Sequence, residues 1–286
     1  MERSALGRHL SSRFVAGLSV QDAVRVARHL NAEGIAVSLD SLGESVTSEA
    51  EARAAAAIYQ RLLDTIATGS LNANVSLKLT QMGIDLSPSL AEELVEDLVA
   101  QASRLGSFVR IDMEGSEFTE STIALTERLH VLYPASVGTV LQAYLKRTES
   151  DAERLFNQRI RIRLCKGAYR EPPAIAFASK ADVDANYVKL MKRMVSSPVF
   201  CGIATHDEAI VEETLRFVAA SQIPSSDFEF QMLYGIRRDL QRRLVREGYG
   251  VRVYIPFGEA WYPYFMRRLA ERPANVLFLA RNLFRK

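Results

Sequence analysis

The sequence alternates eight short apolar runs with longer helical patterns, and this alternation limits the possible folds more than any other feature. A strand followed by a helix of this length is typical of parallel βαβ units. Eight such units can close into a barrel, which commonly uses about 250 residues as one domain. The predicted strands are Ile35–Asp40, Asn74–Leu79, Phe108–Met113, Thr139–Tyr144, Ile160–Cys165, Val199–Ala204, Phe228–Leu233 and Val251–Ile255.

Helical patterns lie between most of these runs and also follow the last one. An open doubly wound sheet is the alternative, but a GxGxxG turn after the first strand, its usual dinucleotide motif, is absent. We therefore predict one α/β domain, 1–286: a distorted (βα)8 TIM barrel whose last helix lies over the barrel mouth. Residues 1–34 form an N-terminal helical extension, in which Val20–Glu33 plugs the barrel or packs on it. The other predicted helices are Ser48–Thr68, Ser89–Leu105, Thr119–Leu132, Glu149–Asn157, Asp184–Ser196, Glu208–Ala220, Arg237–Glu247 and Trp261–Glu271.

Polar residues stand in or directly after most of the apolar runs. In a barrel, the carboxyl ends of the strands meet at one face, where ligands bind. A charged group inside an apolar run is costly unless it is paired or bound to a ligand. The pattern therefore predicts one shared ligand site, built from Asp40, Lys78, Asp112, Gln142, Arg163, Lys166, Thr205, His206, Gln231 and Tyr254.

Composition argues against several other classes of function. The formal net charge is +2 and the basic residues are spread along the chain, so we expect no nucleic-acid partner. The one basic cluster, Arg237, Arg238, Arg242 and Arg243, is interpreted as a solvated helix face. The two cysteines, Cys165 and Cys201, are expected to be buried free thiols in a reducing compartment.

The four histidines have no metal-ligand spacing, and we predict no metal site. No apolar stretch reaches the roughly 18 residues of a transmembrane helix, and the N-terminus lacks a secretory pattern. We expect a cytoplasmic protein. Peripheral contact with the inner face of a membrane stays open, because the C-terminal segment 277–286 fits either a core-packed helix or a membrane contact.

The strand-end residues lack the parts of a self-sufficient catalyst. They contain no nucleophile with an adjacent base and no three-ligand metal set. Such a site binds an anionic ligand and a polar cofactor that performs the chemistry. In the segment 163–169, Arg163 and Lys166 offer positive charge and Gly167 permits close approach of the backbone; an ordinary strand end and glycine turn is the alternative. His206 fits a structural hydrogen bond or cofactor contact better than acid–base work.

Tyr264, Arg267 and Arg268 lie at helical spacing and share one face, which Glu271 continues. Two arginines beside a tyrosine make a good carboxylate clamp, because the guanidinium fork matches a carboxylate with two hydrogen bonds. A basic surface helix is the alternative interpretation of the same pattern.

Nine segments, in order between about residues 35 and 280, together resemble the proline dehydrogenase family, and most closely its single-function bacterial members. The resemblance implies oxidation of L-proline to 1-pyrroline-5-carboxylate by hydride transfer to FAD, with electrons passed to a quinone. The matching segments are 41–44 (SLGE), 76–79 (SLKL), 111–114 (IDME), 141–147 (LQAYLKR), 163–169 (RLCKGAY), 204–207 (ATHD), 230–235 (FQMLYG), 253–256 (VYIP) and 264–268 (YFMRR) with Glu271.

The resemblance also implies a role for each matching residue. Lys78, Arg267 and Arg268 would hold the substrate carboxylate, and Glu44 would pair with Arg267 as a gate. Arg163, Lys78 and Tyr254 are the residues implied in catalysis. The substrate ring would lie among Asp112, Tyr169, Leu233, Tyr254 and Tyr264. The FAD contacts would come from Gln142, Arg163, Lys166, Gly167, Ala168, Thr205, His206, Asp207, Gln231 and Glu271.

Two positions depart from the family pattern, and two other functions stay open. Asp207 stands where relatives often carry Asn, and Arg170 where fused bifunctional relatives carry Trp. The chain lacks the aldehyde dehydrogenase segment of those relatives, so we expect a separate 1-pyrroline-5-carboxylate dehydrogenase as partner. No side chain is an obvious base for the substrate amine. The alternatives are another FAD barrel, such as a methylenetetrahydrofolate reductase, and an inactive amino-acid-binding barrel.

Overall fold

The computed structural model describes residues 13–270, and side chains as far as Met266. Eight parallel strands form a closed barrel in which each strand pairs with the next along the chain and the eighth pairs with the first. The predicted (βα)8 barrel is therefore confirmed. Its strands are β1 (Ala36–Ser41), β2 (Ala73–Leu77), β3 (Val109–Ile111), β4 (Val137–Gln142), β5 (Arg161–Cys165), β6 (Cys201–Ala204), β7 (Phe228–Leu233) and β8 (Gly250–Phe257).

The helices pack their apolar faces against the outside of the barrel. Most begin at a serine or aspartate whose side chain accepts a hydrogen bond from the first turn, as Ser19, Ser48, Ser87, Ser179 and Asp207 do. The helices are α1 (Val20–Ala32), α2 (Glu49–Thr68), α3 (Pro88–Arg104), α4 (Thr119–Leu132), α5 (Thr148–Asn157), α6 (Lys180–Val195), α7 (Glu208–Ala220), α8 (Arg238–Arg246) and α9 (Trp261–Ala270).

Two predicted boundaries are wrong in an informative way. Strand β4 begins and ends two residues before the predicted Thr139–Tyr144, because Ala143 and Tyr144 are buried although they lie beyond the strand. An apolar run in the sequence therefore indicates which residues are buried, but it does not show where strand pairing ends. Helix α6 begins a turn before Asp184, because Ser179 accepts a hydrogen bond from the Asp182 amide (3.1 Å) and caps the helix there.

Helix α1 packs on the outside of the barrel against β1 and β8, so it does not plug the barrel. Glu33, at the C-terminal end of α1, pairs with both Arg238 (3.2 Å) and Arg242 (2.8 Å) of α8. Since α9 begins beyond β8 at the barrel mouth, where Tyr264 lines the cavity described below, α1 fills the outer position between β8 and β1. Arg238 and Arg242 are partly exposed as well as ion-paired, which agrees with the solvated helix face that the sequence predicts for the basic cluster.

The interior of the barrel is polar, which is unusual for this fold. Along β7, Phe228 and Phe230 belong to the apolar layer under the helices, while Glu229 and Gln231 alternate with them and bond across the interior. Arg110 lies deep in the barrel and donates to the carbonyls of Thr139 and Arg161 (2.9 and 2.7 Å). Charges buried in a barrel need partners. The inward-facing polar side chains of these strands are therefore hydrogen-bonded to one another or to backbone carbonyls.

Cys165 and Cys201 are free cysteines, as predicted. Burial raises the pKa of the Cys165 thiol to about 11 and that of Cys201 to about 12, so neither is a ready nucleophile. Across the described residues, no helix is both long and apolar enough to cross a membrane.

Candidate active site

A cavity of about 490 Å³ opens at the carboxyl ends of the barrel strands, a size typical of small-molecule and cofactor sites. Every predicted site residue whose side chain is described lines it except Asp40, which is completely buried on β1. The structure therefore brings together Glu44, Lys78, Asp112, Gln142, Arg163, Lys166, Gly167, Ala168, Tyr169, Thr205, His206, Asp207, Gln231, Leu233, Tyr254 and Tyr264. Arg267 and Arg268 lie on α9 but their side chains, like all of Glu271, are outside the described residues.

Lys78, just after β2, lies between two carboxylates. Its ammonium is 3.4 Å from Asp40 and 3.7 Å from Asp112, and it donates to the Tyr254 hydroxyl at 3.3 Å. Burial opposes the charged form, but attraction to Asp40 and Asp112 outweighs burial and raises the pKa of Lys78 above its usual range. A protonated Lys78 thus persists well into alkaline pH.

Asp40 is among the residues predicted for the ligand site, and the structure places it beside Lys78. It is completely buried on β1 and does not line the cavity. The hydroxyl of Tyr59 donates to it from behind (3.2 Å), so the carboxylate faces Lys78 with its position fixed. Burial raises the pKa of Asp40, and the neighbouring Lys78 counteracts that rise.

Tyr254 and Asp112 lie beside Lys78 in the wall of the cavity. The Tyr254 hydroxyl donates to one oxygen of Asp112 (2.9 Å), and Arg163 donates to the other (2.8 Å). Both oxygens of Asp112 are therefore engaged. Burial raises the pKa of Tyr254 well above its usual value, so the phenol keeps its proton and acts as a donor.

Arg163 of β5 connects three other strands across the barrel. Besides Asp112, it donates to Ser76 of β2 (3.1 Å) and to the side-chain oxygen of Gln231 of β7. Its guanidinium also lies over the ring of Tyr254, 5.4 Å from the ring centre. The cation is nearly buried, and its plane is fixed from three directions.

The far side of the cavity carries an ion-paired cluster. Lys166 pairs with Asp184 (2.5 Å) and Asp207 (2.9 Å), and Lys180 contacts the same two carboxylates. Asp207 also accepts from the Ala209 amide and caps α7. Lys180 also lines the cavity, although it was not among the predicted site residues. It is the first residue of α6, whose start was predicted at Asp184.

Three more predicted residues that line the cavity have structural partners. Gly167 adopts φ +110°, and a Cβ built on it would lie 2.3 Å from the ring of Tyr144, so the close approach expected from the sequence is made to that ring. The Nε2 of His206 accepts from the backbone amide of Leu233 (2.8 Å). This hydrogen bond fits the structural interpretation of His206. Gln142 donates to the carbonyl of Glu114 (2.9 Å) and faces the cavity beside β4.

The donor set suits a large anionic cofactor such as FAD. The cations Arg163, Lys166 and Lys180 share the cavity with the apolar side chains of Val140 and Met232. Cations match phosphate oxygens, and an apolar wall suits the flat face of a flavin. Within the described residues, no group of three or more His, Cys, Asp or Glu could hold a metal ion.

Comparison with known proteins identifies the family. The family model described as Proline dehydrogenase matches residues 23–281. Proline dehydrogenase 1 of Bacillus subtilis (strain 168) is 41% identical over 283 residues, which is 99% of this chain and 93% of that protein. The proline dehydrogenase of Deinococcus radiodurans is 40% identical over 282 residues, 97% of this chain and 91% of that protein.

Solved structures agree in fold. The crystal structure of proline utilization A from Bdellovibrio bacteriovorus, inactivated by N-propargylglycine, superposes with a TM-score of 0.86 and 25% identity over 92% of this chain and 32% of that longer one. The methylenetetrahydrofolate reductase alternative receives no support from these matches. The chain belongs to the proline dehydrogenase family of enzymes.

Proposed function

We propose that this protein oxidises L-proline to 1-pyrroline-5-carboxylate with FAD as cofactor, and that a quinone takes the electrons. The observation that carries this proposal is the Lys78–Tyr254–Asp112–Arg163 cluster: a buried cation beside an aromatic wall at the ligand face of the barrel. FAD, when bound, would accept the hydride from the ring carbon next to nitrogen.

Proline is a small zwitterion, so its binding needs a cation for the carboxylate and an apolar slot for the ring. Lys78 supplies a cation that the two neighbouring carboxylates keep protonated. Tyr254, Leu233 and Tyr264 line the same cavity and offer ring and aliphatic surface. We propose that Arg267 and Arg268 of α9 complete the carboxylate clamp, that Glu44 closes it, and that Asp112 and Tyr169 complete the slot.

The cofactor residues are proposed from the opposite side of the cavity. Arg163 would face the flavin ring, and Lys166 the phosphates. Gln142, Gly167, Ala168, Thr205, His206, Asp207 and Gln231 line the cavity around them, and we propose them, with Glu271, as the remaining FAD contacts. The donor chemistry and the apolar wall support this division.

Oxidation of the C–N bond releases one hydride from carbon and one proton from nitrogen. The carboxylate nearest to the slot, Asp112, already accepts from Arg163 and Tyr254 with its two oxygens. No free carboxylate of this cluster is left to act as base, so we propose that the proton leaves to solvent. The protein would orient the amine and the cofactor without transferring the proton itself.

A quinone acceptor dissolves in the membrane, so electron transfer would require contact with it. We propose a cytoplasmic protein that touches the inner membrane face, and a separate 1-pyrroline-5-carboxylate dehydrogenase that consumes the product. Flotation with quinone-containing vesicles tests the first point. Protein that stays at the bottom of the gradient under conditions of active quinone reduction would contradict it.

The decisive experiment is anaerobic titration of the purified protein with L-proline. We expect a bound flavin spectrum that bleaches on addition of proline, with D-proline as the control. A protein that bleaches with NADH and not with proline would refute the proposal. A flavin-free protein that binds proline without oxidising it would instead be an inactive binding barrel.

A further inference from the structure

We infer that Glu229, a buried carboxylate below the cavity, is a positioning residue that fixes the guanidinium of Arg163 through the amide of Gln231. This inference rests on the proposed function, in which Arg163 faces the flavin. Glu229 does not line the cavity, so its effect must pass through another residue.

The three side chains form a continuous hydrogen-bonded chain. Glu229 accepts from the Nε2 of Gln231 at 2.7 Å, and the Oε1 of Gln231 accepts from the Nε of Arg163. All three residues are at most 7% exposed. Solvent therefore has little access to replace any of these bonds.

The order of donors and acceptors in this chain depends on the carboxylate. An amide can turn over and exchange its oxygen for its nitrogen. Glu229 can only accept, so it requires the Gln231 nitrogen on its side and leaves the oxygen for Arg163. Without the carboxylate, the Gln231 amide could turn over and direct its N–H groups at Arg163. The guanidinium of Arg163 also has only N–H groups, so the two side chains could not form a hydrogen bond.

Two further contacts hold the chain from either end. Arg252 donates to the same Glu229 oxygen at 2.6 Å and to the Val37 carbonyl at 2.8 Å, which keeps Glu229 in place. On the other flank, a Cβ built on Gly202 would lie 2.4 Å from the Gln231 nitrogen. The glycine thus provides the space that this one amide orientation occupies.

The remaining bonds of Arg163 do not replace the one from Gln231. Asp112 and Ser76 accept from its two terminal nitrogens, so Gln231 alone fixes the Nε edge among the described residues. Loss of that acceptor lets the guanidinium plane tilt. The predicted result is a weaker and misaligned contact with the cofactor.

A double-variant cycle tests this positioning role. Glu229→Gln keeps an acceptor for Arg252 but removes the charge and replaces one oxygen with an N–H group, which weakens the constraint on the Gln231 amide; Gln231→Met removes the acceptor for Arg163. The readouts are FAD affinity of the apoprotein, from quenching of flavin fluorescence, and kcat and KM for proline. We expect each variant to weaken FAD binding and kcat about tenfold, the value of one charge-assisted hydrogen bond, with KM changed less than about twofold.

The combined variant separates positioning from general stability. If Glu229 acts through Gln231, then Glu229→Gln should add nothing to Gln231→Met, whereas independent effects would multiply. Asp151→Asn is the matched control, because Asp151 is an equally buried carboxylate held by Arg147 (2.8 Å) outside the cavity. It should lower the melting temperature without changing FAD affinity.

Multiplicative losses, or Glu229→Gln with wild-type FAD affinity, would overturn the inference. Should Glu229→Gln fail to fold, Glu229→Gln with Arg252→Met removes both members of the ion pair and allows the same comparison. A wild-type apoprotein that binds no FAD would instead refute the proposed function. That outcome is distinct from wild-type FAD binding with unchanged variants, which refutes the positioning role alone.

Discussion

At the scale of single residues, the site depends on arginines and lysines whose partners decide their geometry. Arg268 is proposed to hold the proline carboxylate with both arms of its fork. Arg268→Lys keeps the charge but loses the second hydrogen bond, so we expect KM for proline to rise about tenfold with flavin still bound. Steady-state kinetics measure this, with Arg242→Lys on the surface of α8 as control. Equal KM values in the two variants would mean that the clamp is misassigned.

Asp40 controls the charge of Lys78 and gives the site a predictable pH dependence. Attraction to Asp40 helps to raise the Lys78 pKa against burial. In Asp40→Asn the attraction to Asp40 is lost, so burial lowers the pKa of Lys78. The Lys78 ammonium then loses its proton at a lower pH than in the wild type. We therefore expect KM for proline to begin its alkaline rise at lower pH, by about one unit for each 1.4 kcal/mol of attraction lost.

The control for this profile is Asp64→Asn, because Asp64 is exposed on α2 and its side chain accepts from Gln101 (2.8 Å) outside the cavity. Its KM should follow the wild-type pH profile. Parallel profiles for Asp40→Asn and the wild type would show that Asp40 does not set the charge of Lys78.

Gly167 follows β5 in the cavity lining, at a backbone conformation and spacing that only glycine fits. Gly106→Ala, at φ +64° with nothing within 4 Å, should cost about 1 kcal/mol of left-handed strain. Gly167→Ala adds a clash with Tyr144, and we expect a loss about 1–3 kcal/mol larger. Urea unfolding measures both. Equal losses would mean that the segment moves aside freely.

At the scale of elements, α1 serves as a barrel helix. Leu30 of α1 is 2% exposed, while the side chain of its neighbour His29 is 66% exposed. Leu30→Ala should lower the free energy of unfolding by about 2–5 kcal/mol, and His29→Ala by less than about 0.5 kcal/mol. Thermal and urea unfolding test this pair. If the two variants unfold alike, α1 is not part of the cooperative barrel.

Ion pairs link successive helices around the outside of the barrel. Arg53 joins α2 to Glu93 of α3, and Arg193 joins α6 to Glu153 of α5. Arg243 joins α8 to Glu212 of α7, and the Glu33 pairs extend the series to α1. Each exposed pair contributes at most about 1 kcal/mol, so the series sets the register of the helices more than it stabilises them.

At the scale of the whole molecule, the barrel separates its stability from its chemistry. The apolar layer lies between strands and helices, whereas the inward layer carries the polar network that ends at the cavity. If the proton leaves to solvent, as proposed, the rate should rise with pH as the substrate amine loses its proton, about tenfold per unit until that group is neutral. A rate that is flat from neutral to alkaline pH would contradict release to solvent.

The number of strands, their alternation with helices and the identity of the strand-end residues all follow from the amino-acid sequence. These properties are local: side-chain period, turn chemistry and helix propensity act over a few neighbours. It also placed Lys78, Asp112 and Tyr254 at one face, because parallel strands of a closed barrel must end together.

Which polar groups pair across the barrel depends on how its strands close. Asp40 with Lys78, Arg163 with Gln231, and Lys166 with Asp207 join residues whose proximity no local pattern encodes. The same is true of strand ends such as β4, where burial continues after pairing stops. Hydrogen bonds and pKa shifts depend on distance and burial in three dimensions, and those are fixed only when the barrel closes.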